Sequence, residues 1–357
     1  MSVLAIVLVL ITFFICVINF VTIRKPENED PVTESVAVLI PMRNEAENVA
    51  ACVTSLKDQI GINQLQFIII NDSSTDKTLE LVHESIGTDS SFMVIDSPEL
   101  RTGWLGKVSA LQAGYEAASA EFIVTIDADV RLKPRALVCA VNQLKDLSLD
   151  FVSPYPQQIA ESFSEKLIQP LLHWSWMSTV ILRLVEKFPN RSTAVANGQF
   201  FVVRREALDV VEGFSSVSQK ILDDIEIART LIASGFRGVV TEGSAIAKTR
   251  MYTSFSELRN GYGKSLSKAF GGFVGTVIAI LFIFAVGIFP LLLALNGYVV
   301  GILTYLLAVL TRELSALRSR SNPIYAFLHP LSSAVLIYLI IYSWSQRGKI
   351  QWKGRTV

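Results

Sequence analysis

The sequence predicts an α/β domain with a mostly parallel sheet, carried between membrane-spanning helices. Three observations predict it. The 357 residues are 51% hydrophobic and only 18% charged, where ordinary soluble chains run near 25% charged. The apolar excess is concentrated at the two ends of the chain. Between the ends, short apolar runs closed by turn residues alternate with helical patterns, as expected of parallel strands joined by crossover helices.

Residues 2–23 carry no charge. At about 1.5 Å per residue, roughly 22 residues reach about 33 Å, enough to cross a bilayer core. Arg24 and Lys25 come directly after the segment and no basic residue precedes it. A secretory signal has the opposite charge order and a small-residue cleavage site, so residues 1–24 are expected to form an uncleaved anchor. The positive-inside rule then places the chain beyond Arg24 in the cytoplasm, and the expected location is the cell membrane, integrally inserted. The second apolar zone, 273–345, predicts two or three spans. Phe273–Leu295, 296–310 and 324–344, divided by the basic stretch 312–320, give three; a break near Pro290 gives two. Three spans put the basic tail, 346–357, outside, and two keep it inside. Residues 251–272 read as an interfacial segment.

The region 32–250 has a different character. "SVAVLI" at 35–40, running into Pro41, reads as a buried strand. Val49, Val53 and Leu56 then share one helical face. "QFIII" at 66–70 is a second strand, continued by "NDSSTDKT", where Ser73 and Asp76 match S-x-x-D and predict a helix start. "SFMVID" is a third strand, "KVSALQAGYEAA" a helix and "EFIVTID" a fourth strand ending at Asp127. Such alternation places nucleotide chemistry at the carboxyl edge of the sheet. Neither GxxxxGK[ST] nor GxGxxG is present, so the polar residues at strand ends are the candidates for holding a nucleotide. Equal numbers of basic and acidic residues, 32 each, argue against a nucleic-acid partner bound by bulk electrostatics. Cys16, Cys52 and Cys139 form no CxxC, so no disulfide framework or zinc site is readable.

Acidic pairs carry most of the chemical signal. Asp127 and Asp129 close a strand two residues apart, so both carboxylates can face one side. There they suit Mg²⁺ or Mn²⁺ bound together with substrate phosphates; acidic residues also end strands with no such role. Asp72 comes after the second strand and can accept from a ribose or a uracil ring, or belong to a turn. Arg43, Asn44 and Glu45 come after the first strand, as nucleotide contacts or as helix-start residues. Asp223 and Asp224 open "LDDIEIARTLIASGF", either as caps favourable to the helix dipole or with a general base that takes a proton from an acceptor hydroxyl. Gly106 and Lys107 open a helix that can approach phosphates. Arg250 and Lys264 lie close before the membrane zone, where they either neutralise a diphosphate or mark the membrane edge. The Trp-rich segment 163–188 fits an interfacial element that admits a lipid and equally a buried core helix.

In their order on the chain, "PMRNE", "NDSSTD", "GWLGKVSALQAG", "DADV", "NGQFFVVRREAL" and "LDDIEIAR" resemble family 2 glycosyltransferases of the GT-A fold, over roughly residues 36–268. The later pieces, "RMYTSFSEL", "GYGKS", "HPL" and "WKGR", are similar to a membrane-bound branch that includes the diaponeurosporenoate (carotenoid-acid) glycosyltransferases. Hopanoid-associated and ceramide glycosyltransferases are more distant relatives. The resemblance implies a GT-A domain over 32–250 with Pro41, Arg43, Glu45 and Asp72 lining the nucleotide pocket. It implies Asp127 and Asp129 as the metal site, Asp224 as catalytic base and Asp223 where the family often has Glu. Asn197, Gly198 and Gln199 match a loop beside the donor sugar and acceptor, and Arg250 a basic position near the diphosphate. The QxxRW of processive synthases is not found after Asp223–Asp224, which favours a single transfer. The expected activity is metal-dependent, inverting transfer of a hexose from a nucleotide sugar, UDP-linked, to a lipid acceptor such as a carotenoid acid. Polyprenyl phosphate, diacylglycerol or ceramide-like acceptors, or a non-catalytic nucleotide-sugar binder, are the competing expectations.

Overall fold

The computed structural model describes residues 2–347, 351–352 and 355–356; the rest of the basic tail expected over 346–357, with Lys349 and Lys353, lies outside the described residues. The chain forms two compact units. One comprises Arg24–Gln157 and Leu184–Thr249, the other Met1–Ile23, Gln158–Arg183 and Arg250–Val357. The continuous domain expected over 32–250 is therefore interrupted. Residues 158–183 join the apolar helices because their large side chains, Leu167, Ile168, Leu171 and Trp174, belong to the same hydrophobic cluster as Val9, Leu258, Ile283 and Leu339.

The first unit is built on a seven-stranded sheet: β1 (Val32–Met42), β2 (Ile62–Asn71), β3 (Phe92–Asp96), β4 (Phe122–Ile126), β5 (Phe151–Tyr155), β6 (Phe200–Arg204) and β7 (Gly238–Glu242). Their spatial order is β3-β2-β1-β4-β6-β5-β7. All neighbours are parallel except β6, which runs antiparallel to both β4 and β5. The near-continuous apolar runs result from burial on both faces: Val36 to Ile40 and Phe122 to Val124 are fully buried. β1 continues through Pro41, although proline cannot donate to a ladder. Its pairing with β4 ends at Leu39, so Pro41 sits where the strand has only β2 beside it, a place a sheet tolerates proline.

The Ala46–Lys57 helix buries Val49, Cys52, Val53 and Leu56, the expected face. The Asp223–Ala233 helix buries Ile227, Ala228 and Leu231, and Ile225 is half-buried. The S-x-x-D signal misplaces a helix start. The helix runs over Thr78–Ile86 and has no side-chain cap at Lys77. Ser73 is in the left-handed region at φ 52°, which excludes it from capping geometry. Asp76 instead accepts from the Thr78 N–H and hydroxyl.

In the second unit four helices are long and apolar enough to cross a membrane: Val3–Thr22, Phe273–Leu295, Val299–Arg318 and Pro323–Ser345. Phe273–Leu295 is continuous through Pro290, with a π turn over Phe284–Ile288 ahead of it, so no break falls at that proline. The basic stretch is also no divider. The third of these helices runs through Arg312 to Arg318 and buries Arg312. The segment 163–188 breaks into helices Phe163–Ile168, Pro170–Thr179 and Leu182–Lys187. Asn19 locks the middle one to the N-terminal helix by donating to the Met177 and Val180 carbonyls at 2.9 and 2.6 Å.

Candidate active site

The carboxyl ends of β1, β2 and β4 converge with the start of antiparallel β6 at one edge of the sheet, because a reversed strand brings its N-terminus to that edge. After β1, Arg43 donates to the carbonyls of Asp72 (2.6 Å) and Ser73 (3.0 Å), tying this loop to the end of β2. Asn44, at φ 51°, accepts from the Thr75 N–H at 2.8 Å. The Glu45 N–H donates to the Thr78 hydroxyl. Asp72 is buried, and its N–H donates to the Met42 carbonyl. Arg43, Asn44, Glu45 and Asp72 thus form one interlocked rim, with Pro41 in the strand that leads into it.

β4 delivers Asp127 and Asp129 beside that rim. Lys107, on the first turn of the Gly106–Ala117 helix, places its ammonium 2.6 Å from Asp127 Oδ1. Desolvation opposes the lysine charge, but Asp127, Asp223 and Asp224 outweigh it and hold the ammonium above the ordinary lysine range. Asp129 shows the reverse. Burial, then Asp127 and Glu45, push its carboxyl up to about 7. Asp129 Oδ1 is buried and has no hydrogen-bond partner, and a buried acceptor left so is costly. Among the described residues no cluster of three His, Cys, Asp or Glu side chains could hold an ion by itself. Two carboxylates, one with an unsatisfied inward oxygen, fit a hard divalent cation that completes its shell with phosphate and water.

Asp224, at the start of the Asp223–Ala233 helix, lies within electrostatic reach of the same Lys107. Its Oδ2 accepts from the Gly198 N–H at 2.8 Å and its Oδ1 from the Ile225 N–H at 2.8 Å. Burial first, and Asp223 second, raise its carboxyl to about 6, against the lowering effect of Gly198 and Lys107. The Asn197–Gly198–Gln199 loop is arranged to make that contact. Asn197 Oδ1 accepts from the Gln199 N–H, and Asn197 Nδ2 donates to Gln199 Oε1. Ser153 on β5 accepts from the Asn197 N–H and donates to its carbonyl. A side chain at Gly198 would meet Asp224 Cβ at 3.1 Å, so the loop approaches the acid as closely as only glycine permits without displacement.

Three supporting residues escape a reading of the sequence. Ser153 is one. Arg131 and Asn48 are the others: Arg131 donates to the Ala128 carbonyl and to Asn48 Oδ1, and Asn48 donates to Glu45. This chain of bonds braces the turn that carries Asp129. Its only trace in the sequence is a basic residue two places after the second aspartate. Arg250, expected near a diphosphate, belongs to the other unit, where it pairs with Glu161 at 2.7 Å and with buried Glu165 at 3.2 Å.

Residues 37–211 match the family model described as Glycosyl transferase family 2. The matched stretch, just under half of the chain, holds most of β1, all of β2 and β4 and both members of the Asp127–Asp129 pair. The chain is 22% identical over 244 residues to a 4,4'-diaponeurosporenoate glycosyltransferase of Staphylococcus haemolyticus, covering 68% of this chain and 63% of the relative. It is 25% identical over 217 residues to a poly-beta-1,6-N-acetyl-D-glucosamine synthase of Staphylococcus aureus, covering 60% of this chain and 50% of the relative. The chain thus spans half to under two thirds of the length of these relatives. A mannosyltransferase from Pyrobaculum calidifontis, solved with GDP-Man and Mn²⁺, superposes with a TM-score of 0.52 at 17% identity over 94% of this chain and 98% of that one, which establishes the shared GT-A fold.

Proposed function

We propose that this protein is a membrane-embedded, metal-dependent inverting hexosyltransferase. It moves one sugar from a nucleotide sugar, UDP-linked, to a lipid acceptor such as a carotenoid acid, with the sheet unit on the cytoplasmic face. The observation that carries the reading is the placement of Asp224. Its carboxylate is fixed through both oxygens at the edge that also carries the Asp127–Asp129 pair, with the Lys107 ammonium under the influence of both groups. The four apolar helices and the relative that acts on a carotenoid acid favour a lipid over a soluble acceptor.

In this reading Pro41, Arg43, Glu45 and Asp72 receive the nucleoside. Lys107 exchanges its pairing with Asp127 for the donor's phosphates. Asp127 and Asp129 would hold a divalent cation, Mg²⁺ or Mn²⁺, which would supply charge neutralisation for the diphosphate. The acceptor oxygen forms its bond to the anomeric carbon on the face opposite the breaking bond to the diphosphate. Asp224 takes the proton when the acceptor is a hydroxyl. A carboxylic acceptor is already ionised near pH 7, and Asp224 then orients it. Fixed geometry and preorganised charge supply most of the acceleration. The Asn197–Gln199 loop holds Asp224 in place through the Gly198 N–H, and Arg250 is assigned to the diphosphate on the resemblance alone.

The test is transfer of labelled UDP-sugars, with GDP-mannose as a second donor, into lipid extract by membranes carrying the protein, with and without EDTA. Metal-dependent lipid label removed by mild alkali supports a sugar ester on a carboxylate. Alkali-stable label moves the acceptor to an alcohol or phosphate, and growing polymer in place of lipid label rejects single transfer. Within this site Gly198→Ala is a sharp probe. The new methyl must displace Asp224 by a few tenths of an ångström, and misplacement of about 1 Å costs on the order of 10²-fold. A fall in kcat of about ten-fold is expected, with donor KM little changed; an unaltered kcat would detach the loop from the reaction.

A further inference from the structure

The apolar unit buries a cation without a counter-charge. Arg312 is 3% exposed on the Val299–Arg318 helix; its Nε has no hydrogen-bond partner, and no ion pair joins it to any described residue. Few acids could serve. This unit holds only Glu161, Glu165, Glu257 and Glu313. The first two grip Arg250, and Glu257 accepts from Thr253 on an exposed turn. Glu313 is the next residue along the helix, where adjacent side chains do not face each other. An unpaired charge buried among apolar helices is strongly destabilising, and ionisable residues inside a membrane are commonly functional.

The surroundings of Arg312 are polar and incompletely bonded. His329, 1% exposed, is within electrostatic reach on the neighbouring helix, and its Nδ1 has no partner. Ser332 and Ser333, one turn further along that helix and also buried, have hydroxyls without partners. Gly287 lets this face approach: a Cβ there would lie 2.0 Å from Ser333 Oγ and 3.6 Å from His329 Nε2. Trp174 closes one side, with its ring edge-on to His329 at 5.0 Å. A buried guanidinium without an acid thus lies within electrostatic reach of a buried imidazole, and two buried hydroxyls without partners follow one turn along the same helix, inside helices with the length and hydropathy of membrane spans.

We infer that Arg312, His329, Ser332 and Ser333 form a site for the anionic head group, carboxylate or phosphate, of a membrane amphiphile whose tail lies along the apolar helices. The guanidinium supplies the planar pair of donors that both oxyanions accept, and the hydroxyls and imidazole complete the set. The inference concerns binding alone and stands apart from the transfer reaction.

The experiment uses the full chain in phosphatidylcholine nanodiscs with no sugar donor present. Labelled dodecanoate and dodecyl phosphate are titrated, with dodecanol as the neutral amphiphile and inorganic phosphate as the free anion. Saturable binding of one or both anionic amphiphiles is expected, and the preferred arm identifies carboxylate or phosphate. Arg312→Gln should weaken it at least ten-fold, Arg312→Lys should retain part of it, and dodecanol binding should be equal in all. His329→Gln and the Ser332→Ala, Ser333→Ala pair serve if Arg312→Gln does not fold; each should weaken binding several-fold. Absence of saturable binding, undiminished binding in these variants, or competition by inorganic phosphate as strong as that of dodecyl phosphate would each overturn the assignment.

Discussion

Asp224→Asn is expected to lower kcat by about 10²–10⁴-fold with a hydroxyl acceptor, the usual contribution of a positioned general base, and to leave donor KM nearly unchanged. With a carboxylate acceptor the loss should be smaller, about ten-fold, because no proton is removed and only orientation is lost. The two magnitudes separate the acceptor classes in one variant. The pH profile gives the same residue an independent signature. Burial raises the Asp224 carboxyl to about 6, so the base is lost as pH falls through 6, and kcat for a hydroxyl acceptor should rise with pH to an inflection near there. Stability has the opposite sign. An acid raised above its unfolded value favours the folded state fully only below that unfolded value, and this contribution disappears as pH rises toward 6. Asp224→Asn removes the buried charge but keeps only one of the two oxygens that accept from Gly198 and Ile225, so its Tm at pH 8 should stay close to that of wild type while activity is lost, the trade expected of a functional group held in an unfavourable place. A variant that lost activity and Tm together at pH 8 would mark Asp224 as a structural cap.

The rim and the acid pairs were legible because their signals are local. A strand buried on both faces must be apolar until it leaves the sheet, so the first polar residues after Ile40, Ile70 and Ile126 mark the edge where chemistry sits. The supports were not legible, because they depend on register across the sheet. Ser153 matters only since β5 lies beside β6 and brings its hydroxyl to Asn197. Arg131 matters only since the Ala46–Lys57 helix lays Asn48 against it. The false helix start at Ser73 has a similar origin. The capping pattern is real, but the loop's bonds across to Arg43 and Asn44 override it. In the apolar unit, the charges at residues 312–320 suggest a boundary. Arg312 instead continues a helix whose other buried residues, apart from Val309, are small or polar: Gly301, Thr304, Ala308, Thr311, Ser315 and Ala316. No hydropathy pattern could show that an arginine belongs among them.

Asp129→Asn tests the proposed metal site where its physics is least ambiguous. In the protein without a cation, Asp129 is a liability: its Oδ1 is buried and unpaired, and Asp127 and Glu45 press their charge on it. An amide carries no net charge, so the substitution should raise the Tm measured in EDTA. With Mn²⁺ and UDP the order should invert. A ligand at about 100 times its Kd adds about 2.7 kcal/mol to the state that binds it, so the wild-type Tm should climb, and the variant should lose most of that gain with the shared carboxylate. Turnover should fall in step. Charge neutralisation by a metal is worth several kcal/mol, and about 4 kcal/mol is a factor near 10³ in rate. Lys107→Met separates the two contributions to the same diphosphate. It removes the ammonium paired with Asp127 and should weaken donor binding while leaving the Mn²⁺-dependent rise in Tm largely intact. Equal responses of wild type and Asp129→Asn to Mn²⁺ would place the cation elsewhere and leave the Asp127–Asp129 pair as the acidic end of a strand.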